Sequence, residues 1–210
     1  MRVTEIFFSI QGEGTRAGRP CVFVRFTGCD LRCGYCDTAY AFHGGKDMRR
    51  EEILREIALH PCRFVLLTGG EPMLQQELPE LARELLARGY EVAVETHGQR
   101  PLQALPREVV RIVDVKTPGS GEEATDLGYL DALAPSDEVK FVICSEEDYR
   151  WSESVVRRHR LEGRVHVLFS PAWGRVDPRD LARWMLASGL DARLSIQVHK
   201  VIWGPDVHGV

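Results

Sequence analysis

Three cysteines in a short loop constrain this chain more than any other feature. Cys29, Cys33 and Cys36 are separated by three residues and then by two. Iron–sulfur clusters and zinc are both held by closely spaced thiolates, so the spacing predicts a metal site. A closed structural zinc site takes four ligands, whereas this loop offers three. A four-iron cluster held by three cysteines keeps one iron free for another ligand, and the loop therefore favours a cluster at which chemistry takes place.

The cysteine spacing, with the aromatic Tyr35 directly before the last cysteine, resembles the signature of the radical S-adenosylmethionine (SAM) superfamily. The resemblance implies a catalytic [4Fe–4S] cluster on Cys29, Cys33 and Cys36, with the amino and carboxylate groups of SAM on the free iron. It also implies that an electron from the reduced cluster cleaves SAM to methionine and a 5′-deoxyadenosyl radical. A non-catalytic zinc-binding scaffold is the alternative interpretation of the loop.

Length and composition fit a single domain over residues 1–210. The formal net charge of -4 argues against a protein that coats nucleic acid or an anionic membrane. The other cysteines, Cys21, Cys62 and Cys144, occur singly in apolar segments and are predicted to be core residues. Because cluster thiols need a reducing compartment, a disulfide framework is not expected.

The first ten residues begin directly with an alternating strand pattern. They lack a charged segment followed by a long apolar run, so no signal peptide is predicted. No apolar stretch is long enough to span a bilayer. We therefore expect a cytoplasmic protein with neither a membrane nor a nucleic acid as its partner.

Hydrophobic periodicity predicts strands that alternate with helices. Ser145 is the predicted cap of one helix, Asp177 and Pro178 begin another, and Gly189 ends it. Two prolines leave the structure of residues 100–110 open. The predicted strands are residues 3–10, 21–26, 64–67, 91–94, 111–115, 138–143, 165–169 and 194–198, the predicted helices are residues 48–60, 78–88, 127–133, 146–161 and 178–188, and the tail from residue 199 has no regular pattern.

Alternating strands and helices with short connections predict parallel strands and right-handed crossovers. Six such units after the strand that precedes the cysteine loop predict an α/β fold, namely an open or partial (β/α)6-type barrel with modified N- and C-terminal segments. Several strands end in polar or glycine-rich sequence. Active sites of this architecture lie at the carboxyl ends of the strands, so these connections are predicted to surround the site.

The segment from Thr68 to Pro72 follows a buried strand, and its two glycines let the backbone approach a ligand closely. Together with the cysteine loop, it resembles the Gly-Gly-Glu motif by which radical SAM enzymes bind the amino group of SAM. The resemblance assigns Gly70 and Glu71 to the cofactor.

Polar side chains at other strand ends are further candidates. Glu95 is placed to accept hydrogen bonds from ribose hydroxyls, Lys116 to meet a carboxylate, and Ser170 to border the adenosine. Lys140 is either a site residue or part of a salt bridge in the barrel. His199, with the neighbouring Gln197, is predicted to face the site.

Arg25 interrupts an otherwise apolar strand. An arginine there is costly unless an anion or an ion pair receives it. Its planar fork suits a substrate carboxylate, while the structural alternative is a pair with Glu13 or another acid of the core. The sequence leaves these two interpretations equal.

A narrower resemblance runs from the first strand to the C-terminus. It is to the 7-carboxy-7-deazaguanine synthase family, and its most specific parts are the entry to the cysteine loop and the Cys-Asp-Thr sequence that ends it. The motifs that carry it are Ile10-Gln11-Gly12-Glu13-Gly14, Gly18-Arg19-Pro20, Phe23-Val24-Arg25-Phe26, Gly28-Cys29, Cys36-Asp37-Thr38, Thr68-Gly69-Gly70-Glu71-Pro72, Glu95-Thr96, Gln197-Val198-His199-Lys200 and Trp203-Gly204.

This resemblance implies a carbon–nitrogen lyase that converts 6-carboxy-5,6,7,8-tetrahydropterin to 7-carboxy-7-deazaguanine with loss of ammonia, a step towards queuosine and other deazapurines. The 5′-deoxyadenosyl radical would remove hydrogen from C6 of the pterin. Thr38 would bind Mg²⁺, which prefers oxygen donors. The substrate residues would be Ile10, Gln11, Gly12, Glu13, Arg25, Thr68 and His199, and the SAM residues Tyr35, Asp37, Gly70, Glu71, Glu95, Lys116 and Ser170.

The same resemblance implies a homodimer and an electron donor such as a flavodoxin or ferredoxin. A different function with the same cysteine loop is an activating enzyme that installs a glycyl radical on a partner protein. Such an enzyme needs a groove for a polypeptide and has little use for Arg25 or Thr38 as anchors for a carboxylate and a magnesium ion.

Overall fold

The fold is described from a computed structural model, which covers residues 1–209. Within these residues the backbone forms one sheet of nine strands and five α-helices, with short 3₁₀ turns in several connections. The strands are β1 (Arg2–Ile10), β2 (Pro20–Phe26), β3 (Lys46–Asp47), β4 (Phe64–Gly69), β5 (Glu91–Thr96), β6 (Val110–Val115), β7 (Glu138–Ile143), β8 (His166–Pro171) and β9 (Arg193–Leu194), and the helices are α1 (Arg50–Ala58), α2 (Leu78–Ala87), α3 (Glu146–Arg158), α4 (Pro178–Ser188) and α5 (Val198–Trp203).

The sheet is mostly parallel and does not close. Its strand order is β3-β1-β2-β4-β5-β6-β7-β8-β9. All neighbouring pairs from β2 onward are parallel, whereas β1 runs antiparallel to both β2 and β3. The predicted partial barrel is thus confirmed, with β3 and β9 as its two free edges.

Side chains alternate between the two faces of the strands. In β4, Val65 and Leu67 join the core packed under α1 and α2, while Phe64 and Leu66 join a second apolar layer on the opposite face. The helices therefore cover the outer face, and the inner face carries a smaller apolar layer beneath the polar strand ends.

The loop between β1 and β2 passes below the barrel and is anchored to a buried acid. The side chain of Glu138, at the start of β7, is fully buried. It accepts hydrogen bonds from the backbone N–H of Thr15 and from Arg16, the latter at 2.9 Å. Arg16 also pairs with Glu91 at the start of β5. These bonds fix the loop across the amino ends of the strands.

The C-terminal segment lies in the gap between the two sheet edges. The backbone N–H of Val198 donates to the carbonyl of Gly12 at 2.9 Å, and Gly14 donates to the hydroxyl of Ser195. The N–H of Ser195 still donates to the carbonyl of Phe169 on β8, and the chain leaves the sheet after this residue. The predicted last strand, residues 194–198, is therefore present only as the shorter Arg193–Leu194. Strand β9 ends at Leu194, and α5 occupies part of the tail that was predicted to have no regular pattern.

The other predicted elements differ mainly at their ends. Residues 127–133 contain a 3₁₀ helix, Gly128–Ala132, and residues 100–110 contain only a short 3₁₀ turn, Leu102–Ala104. Helix α3 ends at Arg158, before the predicted end at residue 161. No helix in the described part of the chain has the length and apolar character needed to cross a membrane.

Removing the carboxylate of Glu138 tests the anchor below the barrel. We expect Glu138→Ala to lower the free energy of unfolding by about 3 kcal/mol, because it leaves Arg16 without one of its two partners in a buried place. Urea denaturation measures the change. Glu146→Ala is the control, since Glu146 pairs only with Arg150 on the surface of α3, and we expect it to cost less than about 1 kcal/mol. Equal effects would contradict the anchoring role.

Candidate active site

A cavity of about 570 Å³ lies at the carboxyl ends of the parallel strands. Its wall is a layer of inward-facing polar side chains, one from each of several neighbouring strands. Arg25 comes from β2, Thr68 from β4, Glu95 from β5, Lys140 from β7 and Ser170 from β8. Alternation along the strands places these residues directly above the apolar inner layer.

The three loop cysteines line this cavity together. Cys29, Cys33 and Cys36 are partly buried free thiols, and burial raises the pKa of Cys33 to about 11. None of the remaining three cysteines is among the lining residues. Within residues 1–209, no three His, Cys, Asp or Glu side chains already stand in a metal-binding arrangement. The fit to a cluster therefore depends on the donor set, which is three thiols on one cavity without a fourth.

The Gly-Gly-Glu segment packs directly on the cysteine loop. A Cβ atom on Gly70 would collide with the carbonyl of Gly28 and with the Cβ atom of Cys29. Gly69 has φ +148°, a conformation that side chains rarely adopt. The backbone N–H of Glu71 donates to the carbonyl of Gly28 at 2.8 Å. Both glycines are thus required for the close approach of the two loops.

The carboxylate of Glu71 does not face the cavity. Its side chain is fully buried and accepts hydrogen bonds from the backbone N–H of Met73, the hydroxyl of Thr96 and the backbone N–H of His97. The assignment of Glu71 to a direct cofactor contact needs correction here, because its oxygens are already bonded inside the protein. Gly70, next to it, does line the cavity.

His97 links the two loops, a role that the sequence pattern did not indicate. Its Nδ1 accepts a hydrogen bond from the backbone N–H of Gln99, so the proton lies on Nε2. That nitrogen is 3.0 Å from Asp30 and 3.2 Å from Glu71. Asp30 follows the first cysteine directly, and His97 thereby joins the cysteine loop to the Gly-Gly-Glu segment.

Arg25 is paired with Glu5, not with Glu13. Its Nε lies 2.7 Å from the Glu5 carboxylate, which also accepts from the hydroxyl of Tyr40. Within the described chain, the two terminal nitrogens of Arg25 make no hydrogen bond, so they are free to hold a carboxylate in the cavity. The structure shows the ion-pair alternative, with Glu5 as the partner that orients the guanidinium, and a role in binding a substrate carboxylate stays a prediction.

Lys140 joins three carboxylates inside the cavity wall. Its ammonium is 2.9 Å from Glu13, 2.5 Å from Glu95 and 3.5 Å from Asp114. Burial alone would raise the pKa of Glu13, but Lys140 and a hydrogen bond from Gln197 outweigh it and hold that pKa below its ordinary value. The salt-bridge interpretation of Lys140 is thus confirmed, and its side chain also lines the cavity.

The loop below the barrel supplies the cavity floor. Gln11 is buried, and its side-chain oxygen accepts from the backbone N–H of Gly12. A Cβ on Gly12 would collide with the ring of His199, which packs against this glycine. Burial lowers the pKa of His199 below its ordinary value. Gln197 donates to Glu13 at 2.9 Å, so the tail and the floor meet at the cavity.

The end of the cysteine loop is bound to α5. Asp37 accepts a hydrogen bond from Lys200 at 2.6 Å and another from the hydroxyl of Thr38. Burial would raise the pKa of Asp37, yet the charge of Lys200 outweighs it and holds that pKa well below the usual range. The Lys200 ammonium also lies 5.8 Å from the centre of the Trp173 ring.

With the exception of Glu71, every predicted site residue lines this one cavity. The structure brings together side chains that lie far apart in the sequence. They are Ile10, Gln11, Gly12, Glu13, Arg25, Cys29, Cys33, Tyr35, Cys36, Asp37, Thr38, Thr68, Gly70, Glu95, Lys116, Ser170 and His199.

The fold and the cysteine loop define the class of the protein, and known proteins agree. The family model of the radical SAM superfamily matches residues 23–169, and the chain belongs to this superfamily. A 7-carboxy-7-deazaguanine synthase from Koribacter versatilis is 47% identical over 100% of both chains. One from Chlorobaculum tepidum is 40% identical and is covered to 97%, with 100% of this chain aligned. The chain is a member of the 7-carboxy-7-deazaguanine synthase family.

A solved structure supports the same architecture. QueE from Escherichia coli aligns with a TM-score of 0.77 over 94% of each chain, at 22% sequence identity. At that identity the similarity shows the fold. Membership of the superfamily implies a [4Fe–4S] cluster and SAM as cofactors, and the three thiols that share the cavity fit such a cluster.

The ion pair between Lys200 and Asp37 generates a prediction about the tail. We expect Lys200→Met to accelerate amide hydrogen exchange in α5 and at Gly204, because it removes the ion pair that holds this helix to the cysteine loop. Hydrogen-exchange mass spectrometry measures the rates. Val201→Met is the matched control, since Val201 is 68% exposed on the same helix. Identical exchange in the two variants would contradict the role of the pair.

Proposed function

We propose that this chain converts 6-carboxy-5,6,7,8-tetrahydropterin to 7-carboxy-7-deazaguanine with release of ammonia. The observation that carries the proposal is the composition of the cavity. Three thiols with no fourth border it on one side, and Arg25, with free terminal nitrogens, borders it on another. Two relatives that align over the whole length of this chain carry the name of this activity.

Different residues of the cavity wall would hold the cluster and SAM. Cys29, Cys33 and Cys36 would hold the cluster, while Tyr35, Asp37, Gly70, Glu95, Lys116 and Ser170 would surround SAM. When bound, the reduced cluster and SAM would supply the radical chemistry that removes hydrogen from C6 of the pterin. Glu71 keeps Gly70 against the cysteine loop instead of contacting SAM, because its carboxylate is bonded to Met73, Thr96 and His97.

The pterin would lie between the floor and β2. Gln11, Gly12 and Glu13 would receive its ring, with Ile10, Thr68 and His199 around it. Arg25 would grip its carboxylate through the two terminal nitrogens, while Glu5 holds the opposite edge of the guanidinium at 2.7 Å. A bidentate pair of this kind fixes orientation as well as position.

Thr38 is the proposed magnesium ligand. Its hydroxyl lines the cavity and at present donates to Asp37 at 2.9 Å. Mg²⁺ prefers oxygen donors and keeps several waters, so one protein hydroxyl and the substrate carboxylate are a suitable partial set. Charge on the substrate carboxylate would be neutralised there, beside Arg25.

The protein's own contribution is orientation and exclusion of water. The cavity is closed below by the loop between β1 and β2 and on its open side by the C-terminal segment. Holding C6 in near-attack geometry can supply on the order of 7 to 11 kcal/mol of the barrier. The cofactors provide the reactivity, and the residues of the cavity wall orient the substrate for the reaction.

The cellular setting belongs to the same proposal. We place the enzyme in the cytoplasm, as one domain over residues 1–210, with a flavodoxin or ferredoxin as electron donor. A homodimer would bury the exposed apolar side chains of Val201, Ile202 and Trp203 on α5.

The product assay tests the function directly. Protein reconstituted anaerobically with iron and sulfide is reduced and incubated with SAM, Mg²⁺ and the carboxypterin, and mass spectrometry follows the deazaguanine. We expect product, and less of it when Mg²⁺ is removed with a chelator. Cleavage of SAM without any deazaguanine would favour an activating enzyme for a glycyl radical protein, and a colourless protein that binds zinc tightly would favour the scaffold.

The variant Arg25→Ala tests whether Arg25 serves binding of the substrate and not cleavage of SAM. Loss of a charge-assisted bidentate contact should raise the KM for the pterin roughly tenfold or more, while uncoupled cleavage of SAM continues at a similar rate. Both rates are measured in the same reaction, as deazaguanine and as 5′-deoxyadenosine. If uncoupled cleavage falls as far as product formation, Arg25 serves the fold or SAM instead.

A further inference from the structure

Lys140 occupies a position that neither the cluster nor the proposed ligands explain. Its side chain is 6% exposed, although it carries a full charge. The three carboxylates around it come from separate parts of the chain. Glu13 lies in the floor loop, Glu95 at the end of β5 and Asp114 on β6. All four side chains line the cavity.

The two lysines of this cluster share Asp114, but over residues 1–209 only Lys140 also pairs with glutamates. Lys116 lies 3.0 Å from Asp114 and forms no other ion pair within the described residues. Within the described residues, Lys140 is the lysine or arginine that pairs with both Glu13 and Glu95. The side chains of Glu13 and Glu95 are only 19% and 26% exposed, and two carboxylates on one cavity wall repel each other unless a cation lies between them. Lys140 supplies that cation for both glutamates.

We propose that Lys140 is a positioning residue shared by the two halves of the site, which holds Glu13 towards the pterin and Glu95 towards the ribose of SAM. The inference rests on the proposed function, because it takes the two ligands from there. Lys140 touches neither ligand itself. It acts through the two glutamates, whose remaining acceptor positions its ammonium directs into the cavity.

The geometry supports this role over a purely structural one. Glu13 accepts from Lys140 with one oxygen and from Gln197 with the other, so its carboxylate plane is fixed from two sides. Glu95 accepts from Lys140 with one oxygen, while its other oxygen lies 3.4 Å from the hydroxyl of Thr68. A single ammonium thus sets the orientation of an acceptor in each half of the site.

Removing the charge should also change how ligand binding depends on pH. The titratable and charged groups that face Lys140 and its partners are Glu13, Tyr35, Asp37, Glu95, Asp114, Lys116 and His199. With Lys140 present, its charge helps to hold the pKa of Glu13 below the ordinary value, so Glu13 stays ionised across neutral pH. Without it, burial would raise the pKa of Glu13, and a protonated carboxyl would accept hydrogen bonds poorly. Binding of the pterin should then recover as the pH rises.

Equilibrium binding measures this without turnover. Isothermal titration of unreduced, cluster-loaded protein gives Kd for SAM and for the carboxypterin separately, between about pH 6 and pH 9. The variants are Lys140→Met and Lys140→Arg. Lys46→Met is the matched control because Lys46 is exposed on an edge strand. Lys116→Met is the comparison inside the cluster, since it removes a cation from Asp114 alone.

The expected result is a joint loss. Lys140→Met should weaken both ligands roughly tenfold or more near pH 7, and part of the affinity for the pterin should return at higher pH, as Glu13 ionises. Lys140→Arg should weaken both ligands by a smaller factor with no new pH dependence, because it keeps the charge and changes the geometry. Lys116→Met should weaken SAM alone, and Lys46→Met should change nothing.

Three results would overturn the inference. They are unchanged Kd values in Lys140→Met, weakening of only one ligand by either Lys140 variant, and loss of both ligands in Lys116→Met to the same degree. If Lys140→Met does not fold, Lys140→Arg still decides between joint and single weakening. Failure of the proposed function is distinct, since it would show as wild-type protein that binds SAM but neither binds nor converts the pterin.

Discussion

The site depends on the contacts between the C-terminal tail and the floor loop across the open side of the barrel. The sheet does not close by strand pairing, and its free edges are β3 and β9. The tail crosses the gap because the N–H of Val198 donates to the carbonyl of Gly12, while the ring of His199 packs where a side chain on Gly12 would lie. Together with the hydrogen bonds from Gly14 to Ser195 and from Gln197 to Glu13, this contact holds the floor and the tail together.

Two ion pairs inside the cavity involve residues that lie next to these contacts in the sequence. Glu13 follows Gly12 directly and pairs with Lys140 across the barrel, while Asp37 at the end of the cysteine loop pairs with Lys200 on the tail. Each of these pairs joins elements that are remote in sequence. Low exposure of the lysines keeps the pairs strong, since buried charges are screened much less than surface charges. A ligand therefore meets acceptors and donors that are already oriented.

Much of the fold and most of the lining residues could be predicted, because they follow local rules. Strand periodicity located β4 to β8, and the cysteine spacing located the centre of the site. The predicted last strand, residues 194–198, was too long, because the chain leaves β8 after Ser195 and Val198 bonds to Gly12 instead. Glu71 was assigned to the cofactor because the motif does not show that its carboxylate is bonded to Thr96 and His97. Hydrogen bonds and ion pairs across the barrel cannot be recognised from the local sequence.

The ion-pair and hydrogen-bond partners that depend on tertiary packing could not be predicted from the sequence. Arg25 needed an acid, and the sequence offered Glu13, yet β1 places Glu5 beside it. The register of the antiparallel pair decides this, since Glu5 is directly opposite Arg25. His97 likewise becomes a link between two loops only because β5 ends next to the cysteine loop.

The central claim is that three thiols hold the cluster and leave one iron for SAM. Electron paramagnetic resonance of the reduced, reconstituted protein, recorded with and without SAM, tests it most directly. We expect the signal of a reduced [4Fe–4S] cluster that changes when SAM is added and is lost when Cys29, Cys33 or Cys36 is replaced by alanine. A signal that SAM leaves unchanged, or a cluster that needs Cys21, Cys62 or Cys144 as a fourth ligand, would contradict the account.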